Sequence, residues 1–242
     1  MIRAIYFDLD NTLVDRAASI GQFAQSFVCH YAHHLSLITD KDVSSLIRSI
    51  DQGGYLPKTS PYQKIYTAIG CELSEHLPWN NYVSAEEISA YWQSEFPQST
   101  VEMDGAKALI ERLTAAGYYV GIISNGAEKS RQQTLKSTSF AHLIRELVSS
   151  QAFGLKKPNP KIFIETARNA GFRPDECLYV GDHPENDRQA ALNAGMSAVL
   201  LSGFHPMADA VQGGLSIEHL SELINVLNTL VHPLSDVTVN YR

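Results

Sequence analysis

A run of largely apolar residues near the N-terminus, from Ile2 to Phe7, ends directly at two aspartates, Asp8 and Asp10. The run is typical of a strand buried on both faces, as in a parallel sheet that helices cover. Because residues i and i+2 of an extended chain point the same way, both carboxylates can converge on one site at the strand end. Two acids placed in this way commonly bind a metal ion or divide into a nucleophile and a general acid.

The remaining pattern has two parts. From Asp15 to about Thr100 the apolar spacing is helical, and helices are predicted at 19–34, 40–50, 61–69 and 84–96. From Asp104 strands and helices alternate, with strands at 118–123, 144–149, 176–180 and 197–201 and a closing helix at 216–230. Such alternation predicts right-handed crossovers and a parallel sheet. A short strand at 237–241 is also expected.

The expected fold class is therefore α/β. It consists of a Rossmann-like parallel sheet of about five strands with an inserted α-helical cap. The expected division places 1–14 and 101–242 in the α/β core and 15–100 in the cap.

Composition limits the partners. Nineteen basic and 26 acidic residues give a net charge of −7, which offers no field to attract nucleic acid or anionic lipid. The three cysteines are odd in number and lack metal-type spacing, so a reducing cytoplasm is the simpler expectation. Neither a signal segment nor an apolar run that could span a bilayer is apparent. The expected partner is a small molecule, and the sequence does not indicate an oligomeric state.

Polar residues follow each of the main predicted strands. Ser124, Asn125 and Gly126 follow the second, and the segments 156–160 and 181–187 follow the third and fourth. In an open parallel sheet, ligands bind beyond the carboxyl ends of the strands. A helix start at Ser124 would present N–H groups to phosphate oxygens. A lysine after the third strand would neutralise phosphate charge, and aspartates after the fourth could complete a Mg²⁺ site.

These segments resemble the motifs of the haloacid dehalogenase-like superfamily, within it the phosphatases that carry a helical cap after the first strand. The first motif matches residues 8–12, the second Ser124, the third Lys157 with Pro158, and the fourth Gly181 and Asp182 followed by Asp187. All four occur in the family's order and spacing.

The resemblance implies that Asp8 is a nucleophile that forms an aspartyl-phosphate. It implies that Asp10 protonates the leaving oxygen and then activates water, and that Lys157, rather than Lys156, is the catalytic lysine. Magnesium would be held by Asp8, the main-chain carbonyl of Asp10, and Asp182. The resemblance also implies phosphate contacts for Leu9, Asp10, Ser124 and Asn125. It implies that Thr12 and Asp187 lie next to the metal ligands without binding the metal themselves.

Two alternatives stay open. The dehalogenases that name the superfamily lack an aspartate at the position of Asp10, so its presence argues against that activity. Phosphomutases of similar fold retain it. A non-catalytic regulatory or binding protein of the same fold is the other alternative, although none of the motif carboxylates is missing. His183, where the family often has a small residue, is expected to face solvent.

Substrate selection is expected to reside in the cap. Candidate contacts for the leaving group are Asp15, Arg16, Tyr55, Lys58 and Lys64. A cap of this size closes over the site and restricts substrates to small soluble phosphate esters, with nucleotides or sugar phosphates slightly favoured.

Overall fold

The computed structural model describes residues 1–57, 59–205 and 214–231. Lys58 and the strand expected at 237–241 lie outside the described residues. Six parallel strands form one sheet in the order β3-β2-β1-β4-β5-β6, so the α/β prediction is confirmed. The strands are β1 Ala4–Phe7, β2 Tyr119–Ser124, β3 Glu146–Ser149, β4 Cys177–Gly181, β5 Ser197–Leu201 and β6 Ser216–Ile217.

The estimate of five strands was too low, because β6 lies where a helix was expected to start. Only two residues of β6 pair with β5, and one of them, Ile217, is buried in the core. A two-residue strand is too short to show alternation in a sequence. After it come a 3₁₀ turn, Leu220–Glu222, and the helix α10, Leu223–Val231.

Four α-helices lie in the segment 15–100: α1 Arg16–His30, α2 Asp40–Asp51, α3 Ile65–His76 and α4 Ala85–Glu95. Helix α1 begins earlier than predicted because the Asp15 carboxylate accepts the Ala18 N–H and caps it. Helix α3 was expected at 61–69 but lies further along the chain. It continues through Gly70, whose missing Cβ lets α3 approach the Ala85 carbonyl at the start of α4.

The other helices surround the sheet: α5 Ala106–Ala115, α6 Glu128–Lys136, α7 Ser150–Phe153, α8 Pro160–Asn169 and α9 Ala190–Asn193. A wide π-helical turn, Pro184–Gln189, precedes α9, although the sequence pattern predicts one continuous helix over 186–194. Within the described ranges, no helix is both long and apolar enough to cross a bilayer.

The hydrophobic cores are separate. One cluster of buried side chains draws only on the segment between Ile20 and Phe96, and the clusters on the two sheet faces draw on the rest. This separation supports the division into 1–14 with 101–242 and 15–100, which we keep as a proposal. The segments that lead into and out of 15–100 lie side by side. The Asp15 N–H donates to the Val101 carbonyl, and the Met103 N–H donates to the Leu13 carbonyl.

β1 lies inside the sheet, between β2 and β4. The loops that follow these three strands therefore leave from neighbouring positions at one sheet edge. The residues of the four predicted motifs lie at the ends of these strands, in the loops that follow them, and in the segment after β3.

Candidate active site

A small cavity of about 50 Å³ lies at the carboxyl ends of the central strands. It has room for only a few water molecules. Its lining includes residues from all four predicted motifs, namely Asp8, Asp10 and Asn11 of the first, Ser124, Lys157 and Asp182, together with Gly53, Gly54, Tyr55 and Asn125. Residues 53–55 belong to the loop after α2, so the helical segment contributes one wall.

Asp8 and Asp10 line this cavity as the i, i+2 spacing predicted, while Leu9 between them is fully buried in the apolar core. Asn11 turns the chain at once, with a left-handed φ of 55°, and its side-chain amide donates to the Gly53 carbonyl at 3.2 Å. The turn thus ties the loop after β1 directly to the cavity wall formed after α2.

Lys157 is almost completely buried, and its ammonium group makes three hydrogen bonds. It donates to Asp8 Oδ1 at 2.8 Å, to the Tyr179 hydroxyl at 2.8 Å and to Asp187 Oδ1 at 2.5 Å. Tyr179 in turn donates to the Ile123 carbonyl. Lys156, in contrast, is exposed. Three partners hold the ammonium group of Lys157 at the cavity.

Burial raises the pKa of Asp8 to about 7, despite the opposing charge of Lys157. The neighbouring charges of Asp187 and Asp182 raise the pKa further. A second cation beside Asp8 would lower this pKa, because a nearby positive charge favours the ionised carboxylate.

Asp10 behaves differently, because two arginines bind the same oxygen. Oδ2 accepts from Arg131 at 2.5 Å and from Arg16 at 3.0 Å. Burial alone would raise the pKa of Asp10, but Arg131 and Arg16 together lower it to about 2. Asp10 is therefore an anion in this arrangement, whereas the resemblance implies that it carries a proton at one stage.

Ser124 does not begin a helix, contrary to expectation. The helix α6 starts at Glu128, with Ala127 before it, and the Gly126 N–H donates to Ser150 Oγ instead of facing the cavity. Asn125 also has a structural task. Its side chain donates to the Lys157 carbonyl at 3.0 Å and accepts the Lys157 N–H at 2.9 Å. This reciprocal pair joins the loops after β2 and β3.

Asp8, Asp182 and Asp187 each offer an oxygen within 4.8 Å of the others, and all three are buried. The donor set fits a hard divalent cation such as Mg²⁺. Both Asp187 oxygens already accept hydrogen bonds, from Lys157 and from the His183 N–H, which favours a supporting place for Asp187. Among the described residues we find no hydrogen bond to the Asp10 carbonyl, which leaves that oxygen available to a metal.

Two histidines flank Asp182. His205 Nε2 lies 2.9 Å from Asp182 Oδ2, and this hydrogen bond raises the pKa of His205. His183 does not face solvent as expected. It is half-buried, its Nδ1 accepts the Glu185 and Asn186 N–H groups, and its ring contacts Tyr55 and His205.

The remaining predicted residues divide in their placement. Thr12 is fully buried, and its hydroxyl has no partner among the described residues. Tyr55 lines the cavity. Asp15 caps α1, Arg16 contacts Asp10 rather than the cavity surface, and Lys64 is exposed with its ammonium group over the Tyr66 ring.

Four residues close to the site were not found from the sequence: Asp51, Arg131, Tyr179 and His205. Tyr179 is hidden in an apolar strand and His205 in a loop. The only available signal was for Arg131, a lone arginine on the helix that follows the second motif.

The parallel sheet and the cavity of carboxylates at its carboxyl end are those of a Rossmann-like α/β protein with a candidate catalytic site. The chain belongs to the haloacid dehalogenase-like hydrolases, whose sequence pattern matches residues 5–201. The family resemblance seen in the four motifs is thereby confirmed.

Several named relatives are phosphatases. Glyceraldehyde 3-phosphate phosphatase of Methanopyrus kandleri is 28% identical over 240 residues, with 95% of this chain and 99% of the relative covered. N-acylneuraminate-9-phosphatase of Mus musculus is 25% identical over 241 residues, with 95% of each chain covered. The predicted enzyme class, a hydrolase of phosphoric monoesters, is confirmed by these relatives.

Solved structures share the fold. The magnesium-bound HAD hydrolase YfnB of Bacillus subtilis superposes with a TM-score of 0.76 at 20% identity, covering 94% of this chain and 99% of the other. L-2-haloacid dehalogenase of Xanthobacter autotrophicus gives a TM-score of 0.67 at 15% identity, covering 94% of this chain and 99% of the other.

Proposed function

We propose that the protein is a Mg²⁺-dependent phosphatase that hydrolyses a small soluble phosphomonoester through an aspartyl-phosphate on Asp8. One observation carries the proposal. The Asp8 carboxylate lines a cavity that also contains Asp182, and one of its oxygens is held by the buried Lys157 ammonium group. An anionic nucleophile beside a fixed cation is the arrangement that phosphoryl transfer requires.

In the first half-reaction an Asp8 oxygen attacks phosphorus, and the bond from phosphorus to the ester oxygen breaks. Asp10, an anion in the free site, would take up the proton that the monoanionic form of the ester brings and pass it to the leaving oxygen. In the second half-reaction water gives a proton to Asp10 and attacks the phosphorus of the aspartyl-phosphate, which restores the Asp8 carboxylate and releases inorganic phosphate. Asp10 then gives up this proton as the product leaves and is again an anion. Lys157 and Ser124 would contact the phosphoryl oxygens, with the main-chain N–H groups of Leu9, Asp10 and Asn125.

Magnesium would be held by Asp8, Asp182 and the Asp10 main-chain carbonyl, with Asp187 behind them. When bound, it would neutralise charge between the anionic nucleophile and the anionic phosphate. The raised pKa of Asp8 is consistent with this assignment, because a bound cation would lower that pKa and so favour the ionised nucleophile.

The two named relatives suggest a substrate class. Glyceraldehyde 3-phosphate and N-acylneuraminate 9-phosphate both carry the phosphate on a primary carbon next to a hydroxyl-bearing carbon. We propose a sugar-type phosphate with this feature. The cavity admits a group of about phosphate size, so the leaving group would lie against Gly53, Gly54 and Tyr55. The three cysteines are free, which suits a reducing cytoplasm as the place of action.

The test is phosphate release from p-nitrophenyl phosphate with Mg²⁺ and with chelator, followed by a screen of phosphorylated metabolites ranked on kcat/KM. We expect release only with the metal. Asp10→Asn should accumulate a phosphoenzyme that intact-mass spectrometry detects, and Asp8→Asn should form none. Absence of release from every ester would indicate the non-catalytic alternative, and an isomeric phosphate ester as the product would indicate a phosphomutase.

A further inference from the structure

A chain of four charged side chains runs from the helical segment to the cavity. Asp51, the last residue of α2, accepts two hydrogen bonds from Arg16, at 2.8 and 2.6 Å. Arg16 donates with its third nitrogen to Asp10 Oδ2, and Arg131 on α6 donates to the same oxygen. Two arginines and two aspartates alternate, so their charges balance.

Three of the four are buried, and the fourth, Asp10, is mostly covered. Asp51 is completely buried, Arg16 and Arg131 expose 5% and 8% of their surface, and the Asp10 side chain exposes 19%. Buried charges persist only where partners compensate their lost hydration, so each member depends on its neighbours. The guanidinium of Arg16 also lies over the Phe96 ring at 5.0 Å, which fixes its plane.

The two oxygens of Asp10 are not equivalent. Both arginines bind Oδ2, while Oδ1 makes no hydrogen bond among the described residues. Since Asp10 lines the cavity, anchoring of Oδ2 leaves Oδ1 as the oxygen that can reach a bound ester.

The same chain reaches the cavity wall. Asp51 Oδ2 also accepts the Gly54 N–H at 2.9 Å, and Gly54 lines the cavity beside Tyr55. Asp51 thus binds both the cavity wall that would face the leaving group and the arginine that orients Asp10.

We propose that Arg131 and the Arg16–Asp51 pair are positioning residues that orient Asp10 toward the leaving oxygen, beside the cavity wall formed by residues 53–55. The proposal rests on the phosphatase function proposed above. They act on one step, proton transfer to the leaving oxygen, by fixing where Oδ1 lies, and not on attack by Asp8. The same arginines favour the Asp10 anion, so a loss of alkyl turnover on their removal reports the placement of Asp10 and not its acidity. Their removal therefore lowers the rate of hydrolysis far more for esters whose leaving group needs this proton than for esters whose leaving group does not.

The experiment compares p-nitrophenyl phosphate, whose phenolate departs without a proton, with the alkyl phosphate of highest kcat/KM among glyceraldehyde 3-phosphate, glycerol 3-phosphate and sugar phosphates. Arg131→Gln and Arg16→Gln should lower kcat on the alkyl ester at least tenfold more than kcat on the aryl ester, with KM little changed. Arg131→Lys and Arg16→Lys should recover part of the alkyl activity, because a cation can still bind Oδ2.

Arg48→Gln is the matched control. Arg48 also joins α2 to α1, through the Ala17 carbonyl, but is exposed and lies outside the charged chain. It should keep the wild-type ratio of alkyl to aryl turnover. Retained aryl turnover in each variant shows that it is folded. Equal losses on both esters, or unchanged alkyl turnover, would overturn the proposal, and a variant that does not fold is replaced by its Lys counterpart, judged by the same ratio. A wild-type protein without activity on any ester would overturn the phosphatase function itself.

Discussion

The Lys157 ammonium group lies 2.5 Å from Asp187 Oδ1, closer than the 2.8 Å that separates it from Asp8 Oδ1. One buried cation therefore serves two carboxylates. Its positive charge lowers the pKa of Asp8, while the negative charge of Asp187 raises it. The pKa of Asp8 thus depends in part on Asp187, which does not line the cavity.

Asp187→Asn should lower the pKa of Asp8, because one of the charges that raises it is removed and Lys157 is left to Asp8 alone. We expect the acid limb of the kcat/KM profile to move to lower pH by about one unit at fixed Mg²⁺. The measurement is the pH dependence of kcat/KM on p-nitrophenyl phosphate. Glu185→Gln, an exposed acid nearby, is the control, and an acid limb that moves upward would contradict the prediction.

Asp8→Asn should abolish turnover and change how stability depends on pH. The pKa of Asp8 is about 7 in the folded protein against 3.8 for the free group, so the folded state binds this proton more tightly. Its contribution is complete below about pH 4 and is lost as pH rises through 7. At pH 8 the metal-free variant should exceed the wild type in free energy of unfolding by roughly 2–4 kcal/mol.

Urea unfolding at pH 5 and pH 8, with chelator present, measures this effect. The gap between variant and wild type should be smaller at pH 5. A gap of the same size at both values would mean that Asp8 is not the group responsible.

Asp182→Asn should weaken Mg²⁺ binding at least tenfold, since one of the few anionic oxygens near the metal is lost. A ligand that binds only the folded state raises the melting temperature with its concentration. Melting curves of the metal-free protein at increasing MgCl₂ give the affinity without any assay of turnover. Asp175→Asn, a change at an exposed carboxylate paired with Arg173, should leave the titration unchanged. Equal affinities for both variants would remove Asp182 from the metal site.

Gly181→Ala should destabilise the protein by about 1–3 kcal/mol. A Cβ at this position would lie 2.5 Å from the Asp187 carboxyl carbon, and both Asp187 oxygens are already held by hydrogen bonds. Gly21→Ala inside α1 is the control. Its Cβ would meet only Arg48 at 3.7 Å, so it should stabilise the helix by about 0.5–1 kcal/mol. Thermal unfolding measures both, and a neutral Gly181→Ala would contradict the packing argument.

The sequence predicted the parallel sheet well because its strands are continuous apolar runs followed by polar residues. It could not predict β6, because two residues are too few to show an alternating pattern. It also placed the start of α3 too early, because no capping side chain marks where that helix begins. The site was predicted where chemistry coincides with strand ends, as at Asp8, Lys157 and Asp182.

Other members of the site have no such signal. Arg131 and Asp51 lie far from Asp10 along the chain, and each would pass for an ordinary surface charge on its helix. Their significance comes from burial against one another, which only the packing of α2 and α6 around the loop after β1 creates. The capping role of Asp15 and the pairing of Asn125 with Lys157 likewise depend on neighbours that spacing does not reveal.

The outgoing and returning segments at 13–15 and 101–103 lie side by side, and this arrangement has an evolutionary consequence. Because the two ends are already hydrogen-bonded to each other, the length of the polypeptide between them has little influence on how the sheet folds. That intervening portion can be enlarged, trimmed or exchanged for another while the catalytic edge stays intact. Diversification of what such an enzyme accepts can therefore proceed without disturbing how it reacts.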